Sequence, residues 1–204
     1  MSVADHLNAF FTPLRERAVM AVLAYRVRAR NRTLRVHPTT IWDYAYKDVG
    51  QIEIGRDVTV GPFAEILVYR RSPYSDVPGR LIIGDGSIIS MGCEIRAAGG
   101  TIRIGAGSGI GQYNVLIAAN HALRSSGPRF HVRWDEDRTG VEIGKNVWSG
   151  AGCIFLPGST VGDDAVIAAG SVVRGKIPPG ELWGGVPARK IRGVGKDSVE
   201  DGTT

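Results

Sequence analysis

Residues 116–130 read LIAANHALRSSGPRF. An apolar stretch closes at Asn120 and His121, and the chain then passes into Arg, Ser, Gly and Pro, the residues of turns and loops. An imidazole titrates near neutrality. At the mouth of a loop His121 could take a proton from a weak nucleophile; the plainer reading is a surface histidine with no task. The irregular residues that follow carry Arg129, His131, Arg133, Trp134, Asp135 and Glu136, and His131 is the second candidate base. His6 and His37 fall in the N-terminal forty residues and read as structural or solvated. Cys93 and Cys153 form no metal or redox motif.

The elements that would hold His121 show in a period of six. From residue 143 the chain divides into IGKNVW, SGAGCI, FLPGST, VGDDAV, IAAGSV and VRGKIP. The same frame gives IGRDVT and VGPFAE from 54, IGDGSI, ISMGCE and IRAAGG from 83, and IGAGSG, IGQYNV and LIAANH from 104. No helix keeps one face buried on that period, but very short strands separated by turns do. Three hexads make one triangular coil, with the first-place aliphatic inward and the mostly small fifth-place residue in the tight corner. Stacked coils bury one another's faces. Both cysteines, Asn114 and Asn120 stand at fifth places, so they read as interior filler or ladder. Irregular residues interrupt the frame at 69–80 and 121–140, and a solenoid carries such insertions on its rim.

Charge separates the N-terminal end from this body. Of 204 residues, 28 are glycine, as many turns require. Residues 1–40 hold seven Arg, no Lys and two acids, and so account for the whole net charge of +5. A neutral body argues against nucleic-acid binding. Residues 2–30 read as helical, with Thr12 capping a helix that starts at Pro13 and Leu7, Phe10, Phe11, Leu14, Ala18, Ala21, Val22 and Tyr25 as the inward stripe. The arginines lie largely off it, either in water or against an anionic membrane surface. No secretory signal or membrane span is visible, which gives the expectation of a cytoplasmic protein, peripherally associated with the inner face of the membrane if the helix is the contact. The expected organisation is a helical basic segment over 1–40, a coil domain over 50–178, and an extension and tail over 179–204.

The hexads and the ending GSVVRGKIPPGELWGGVPARKIR, over roughly residues 50–193, resemble the hexapeptide-repeat acyltransferases. The resemblance implies an all-β fold, a left-handed parallel β-helix that is an exception to the right-handed crossover rule, usually assembled as a homotrimer. It implies transfer of an acetyl group from acetyl-CoA, as acyl donor, to a hydroxyl or amine, with no metal. AANH is similar to the Asn-His pair opening the corresponding loop of the xenobiotic acetyltransferase branch, which makes His121 the general base. Trp148 closes an NVW triplet found beside the family's active site; it implies a wall for the pantetheine arm or acceptor, or an aromatic at the trimer interface. By the same resemblance the Ala151 amide faces the thioester oxygen and Ala169 hydrogen-bonds the pantetheine. Arg174 takes the place of a threonine usually followed by lysine. That lysine is Gly175 here, with Lys176 one residue on. Arg189 and Arg192 match positions reaching the CoA phosphates, a task suited to the guanidinium fork.

The acceptor is less legible. Ser90 and Ala98 stand where galactoside and maltose acetyltransferases carry a sugar-binding Asn and Asp. Size and style suggest a carbohydrate acceptor of polysaccharide or lipopolysaccharide biosynthesis, and the alternatives are xenobiotic O-acetylation, sugar N-acetylation or a non-catalytic β-helix scaffold. A zinc carbonic anhydrase on the same fold would need three stacked histidines, whereas only His121 lies in a hexad.

Overall fold

The computed structural model describes residues 18–44, 48–123 and 132–195. The expected helix over 2–17, its Thr12 cap and Pro13, His6, Arg129 and His131 lie outside those residues. The hexads form a three-sided parallel β-helix. The first face runs from Arg35–Val36 through Thr59–Val60, Ile88–Ile89, Gly109–Ile110, Trp148–Ser149 and Val166–Ile167 to Glu181–Gly184. The second face stacks Ile41–Tyr44, Glu65–Tyr69, Glu94–Ala98, Val115–Ile117, Ile154–Phe155 and Val172–Val173. The third stacks Ile52–Ile54, Arg80–Ile83, Thr101–Ile104, Val141–Ile143, Ser159–Val161 and Lys176–Ile177.

The two inward places behave as the period requires. First-place Ile83, Ile89, Ile95, Ile104, Ile110, Leu116, Ile143, Phe155 and Ile167 are all at most 2% exposed. Fully burying such a side chain contributes about 1.5–3 kcal/mol. At the fifth place Ser87, Cys93, Ser108, Asn114, Cys153, Ala165 and Ser171 are buried in the corners. Burial pushes both cysteine thiols up, so they are inert filler. The fourth place turns the corner with positive φ, and Asn146 and Asp164 fill it beside several glycines. Where the second place is glycine the coils approach too closely for a side chain: a Cβ on Gly105 would lie 2.4 Å from the Gly144 carbonyl carbon.

Three expectations change. The coils begin before residue 50, because Arg35–Val36 and Ile41–Tyr44 already pair in register with Thr59–Val60 and Glu65–Val68. They also continue past 178 through Glu181–Gly184, and the antiparallel strand Arg189–Gly193 then ends the first face. In the helix, seen over 18–30, Leu23 and Val27 are buried, with Met20 and Ala24 packed beside them. Val22 and Tyr25 are exposed. The branched aliphatics bury more area over the open end of the core than Ala18 and Ala21 would, and the Tyr44 hydroxyl donates to the Leu23 carbonyl at 2.8 Å to fix that face. Finally, Asn120 is exposed. The strand after Val115 keeps alternating, Leu116 and Ala118 inward, instead of turning a hexad corner there.

Asn114, by contrast, is an interior amide. Its Nδ2 donates to Ser149 Oγ at 2.6 Å, and its Oδ1 accepts from the buried Cys153 amide at 2.6 Å. Asn114→Ala should cost about 1–3 kcal/mol, the desolvation of a buried donor left unpaired, read as a lower denaturant midpoint with unchanged slope.

Candidate active site

Both interruptions leave the chain at the corner between the second and third faces. The first follows Glu65–Tyr69 and the second follows Val115–Ile117, with one coil between them. That intervening coil turns the same corner tightly through Gly99 and Gly100, which leaves room above it. The two loops meet in that room. The Trp134 amide donates to the Tyr74 carbonyl at 2.8 Å, and the Asp135 amide donates to the Asn120 carbonyl at 2.8 Å. Glu136 Oε1 accepts from Ser75 Oγ at 2.8 Å and from the Asp76 amide at 2.9 Å. Arg133 bridges Asp76 and Glu136. These hydrogen bonds, those from Asp76 and Ser75 first, hold the Glu136 carboxyl below its ordinary value.

His121 sits inside this junction. It forms an isolated antiparallel bridge with Trp134. Its ring stands edge-on to Tyr74 and to Trp134, with centroids 6.2 Å away in each case. Such edge-to-face pairs favour one ring orientation. His121 Nδ1 lies 3.4 Å from the Val132 carbonyl oxygen, a long contact. A cavity of about 550 Å³ opens beside the ring and is lined by Asn120, His121, Asp135, Arg138, Leu156, Pro157 and Arg174 among others. Arg174 arrives there because it follows Val172–Val173 at the same corner, two coils further along the second face. Tyr69, at the root of the first loop, donates its hydroxyl to Asp43 at 2.6 Å. Burial first and that hydrogen bond next push its pKa up to about 12, so it stays protonated.

One chain does not bring the other candidates to this cavity. Trp148 is 63% exposed on the outer side of the first face, in register with Gly109 and Val166. Ala151 and Ala169 are exposed at the corner between the first and second faces, where the Gly170 amide donates to the Ala151 carbonyl at 2.8 Å. Lys176 is exposed on the third face in register with Thr160. Arg189 and Arg192 are exposed on the terminal antiparallel strand, their guanidinium groups donating to the nearby Ala188 and Gly193 carbonyls.

Tyr74 and Trp134 are the side chains that sequence reasoning did not assign. Counting hexads held the clue: both interruptions follow a second-face strand, so they must share a corner. Among the described residues no group of three His, Cys, Asp or Glu side chains is placed to hold a metal ion.

Comparison with known proteins agrees with this architecture. Residues 140–175 match the family described as bacterial transferase hexapeptide (six repeats). Galactoside O-acetyltransferase of Escherichia coli K12 is 42% identical over 85 residues, 40% of this chain and 42% of that protein. Gamma carbonic anhydrase 1 of Arabidopsis thaliana is 29% identical over 136 residues, 63% of this chain and 50% of that protein. The chain thus spans about half or less of the curated relatives it matches. The crystal structure of a maltose O-acetyltransferase from Clostridium difficile 630 superposes with a TM-score of 0.61 at 25% identity, covering 90% of this chain and 88% of that one. The chain is a hexapeptide-repeat β-helix.

The loop junction rests on Gly99, whose φ is +66° and whose Cβ would stand 2.3 Å from Trp134 Cε3. Gly99→Ala should displace Trp134 and shift its fluorescence, with a stability loss of about 1–3 kcal/mol. The control Gly107→Ala has a similar positive φ but open space, and it should leave the fluorescence in place.

Proposed function

We propose that this hexapeptide-repeat β-helix is an acetyl-CoA-dependent O-acetyltransferase acting on a sugar hydroxyl, with His121 as general base. The observation that carries the reading is the placement of His121. Its backbone bridges to Trp134, Tyr74 and Trp134 orient its ring, and it lines a cavity shared with Arg174. With the hydrogen on Nδ1, directed at the Val132 carbonyl, Nε2 is the basic nitrogen.

The chemistry follows from that tautomer. A sugar hydroxyl is a poor nucleophile at neutral pH. As its oxygen attacks the thioester carbonyl carbon, Nε2 takes its proton. The oxyanion of the tetrahedral intermediate accepts from the Ala151 amide, a donor indifferent to the alanine side chain. The C–S bond then breaks, the acetyl group stays on the sugar oxygen, and the imidazolium returns the proton to the CoA thiolate. Trp148 walls the pantetheine arm, Ala169 hydrogen-bonds it, and Arg174, Lys176, Arg189 and Arg192 are the cations for the phosphates.

These groups occupy different corners and faces of one chain. A single groove containing them needs two chains, one supplying the His121 corner and its neighbour the corner of Ala151 and Ala169. A homotrimer of the β-helix supplies that groove three times over. The E. coli relative is named for galactoside O-acetylation and the C. difficile structure for maltose. Ser90 and Ala98 replace the sugar-binding pair expected in those enzymes, so the acceptor proposed is another carbohydrate, of polysaccharide or lipopolysaccharide biosynthesis. The site is read as cytoplasmic, where acetyl-CoA is made.

Thiol release from acetyl-CoA with a panel of oligosaccharides and nucleotide sugars tests the reading. His121→Ala should lower kcat by about 10²–10⁴-fold, the usual contribution of a general base, while the far-ultraviolet spectrum is unchanged. Turnover equal to wild type would remove His121 from the mechanism. Light scattering should give three chains per particle, and a fully active monomer would refute the shared groove.

A further inference from the structure

A large cavity lies away from His121, at the N-terminal open end of the β-helix. It measures about 790 Å³ and is lined by the end of the helix, the chain leaving it and the first two coils. Its charge is one-sided. Arg28, Arg32 and Arg35 stand around it with a single acid, Asp57. Its floor includes Leu34, which is buried, and Val60.

These arginines differ from those on the coils. Several arginines that stand outward on the repeat are answered by an acid from a neighbouring coil: Arg56 with Asp85, Arg80 with Glu53, Arg103 with Glu142. Arg35 stands outward on the first face, but its register partner is Thr59 and the next is Ile88. Among the described residues no acidic side chain lies within ion-pair distance of Arg28, Arg32 or Arg35. The helix dipole explains a cation in the last turn, which covers Arg28. It does not explain Arg32 and Arg35, which follow the helix.

His37 adds a donor. Its Nδ1 accepts from the Thr39 amide at 3.2 Å and lies 2.9 Å from Thr39 Oγ1. In the neutral ring the proton is therefore on Nε2, which makes His37 an N–H donor in the lining of the same cavity.

We propose that this cavity is a second binding site, for a phosphate or diphosphate group, separate from the acetyl-transfer site and independent of that reading. Guanidinium groups match phosphate oxygens in pairs, and three of them without acidic partners leave a net positive concavity that a doubly charged oxyanion neutralises. The phosphate could belong to a soluble phosphorylated sugar or to a lipid headgroup, since exposed Val22 and Tyr25 lie on the adjoining helix.

Inorganic pyrophosphate is the probe, titrated calorimetrically into the full chain with CoA at saturation to block any phosphate contacts there. One pyrophosphate per chain should bind. The Arg32→Gln/Arg35→Gln variant should weaken it by at least about tenfold, having lost two charge-assisted contacts. Arg103→Gln, in the coil ladder, should leave it unchanged. Co-sedimentation with phosphatidylglycerol vesicles, and not with phosphatidylcholine, that disappears in the double variant would assign the phosphate to a lipid. Pyrophosphate binding without vesicle attachment would assign it to a soluble ligand. Absence of pyrophosphate binding, or equal affinity in a double variant whose melting temperature matches wild type, would overturn the site.

Discussion

The structure depends on the close stacking of successive coils. Each coil hydrogen-bonds the next in parallel, and where the second place is glycine the spacing leaves no room for a side chain. The overlap at Gly105 and Gly144 shows how tight that approach is. From this follow the inward aliphatic at the first place, the small or polar filler at the fifth and the left-handed turn at the fourth. Ser87, Ser108 and Ser171 are not exceptions to an apolar interior, because each hydroxyl donates to a carbonyl of the corner it fills. The ends of such a stack would expose unpaired strand edges. The helix closes one end, and the antiparallel strand Arg189–Gly193 stops the ladder at the other.

A rigid rod has few places for chemistry, and the corners are where it can be added. An insertion at a corner leaves the ladder intact, so the coils bear no cost for the loop. Two insertions at the same corner, with one coil between them, can then fold on each other. Ser75, Asp76, Arg133 and Glu136 join them, and Tyr74 and Trp134 close around His121. The ion pairs here are solvent-exposed and individually weak; the backbone bonds and the ring contacts define the geometry. His121 thus has a backbone bridged to Trp134 and a ring oriented by Tyr74 and Trp134, which is what proton transfer in a transition state requires.

The charge of the surface is organised by the same ladder. On the third face the parallel register sets Arg103 beside Glu142, and Arg80 reaches Glu53 diagonally, so acid and base answer each other from coil to coil. Among the described residues, arginines without an acidic partner gather at a few places: Arg174 at the loop corner, Arg189 and Arg192 on the terminal strand, Arg28, Arg32 and Arg35 at the N-terminal end. Three of the seven arginines that the first forty residues carry, Arg28, Arg32 and Arg35, gather in this way around one cavity.

The period of six, read along the chain, determined the fold: it named Ile89, Ile110 and Phe155 as inward, Cys93 and Cys153 as filler and Trp148 as outward, because a six-residue repeat with glycine turns admits one regular way to bury its aliphatics. It also marked both interruptions and His121. It did not determine which face of the helix is buried, since Leu23 and Val27 compete with an equally periodic stripe through Val22 and Tyr25, and only the shape of the open coil end chooses between them. Nor did it show that Asn120 turns outward, because a hexad frame cannot announce where a strand keeps alternating. Tyr74 and Trp134 lie some sixty residues apart in the chain and were brought to His121 by coil stacking, and the same stacking kept Trp148, Ala151 and Ala169 away from it. Local pattern fixes which way a side chain points on a regular coil; which loops and corners come together is a matter of three-dimensional register, and that was decided by the tertiary structure alone.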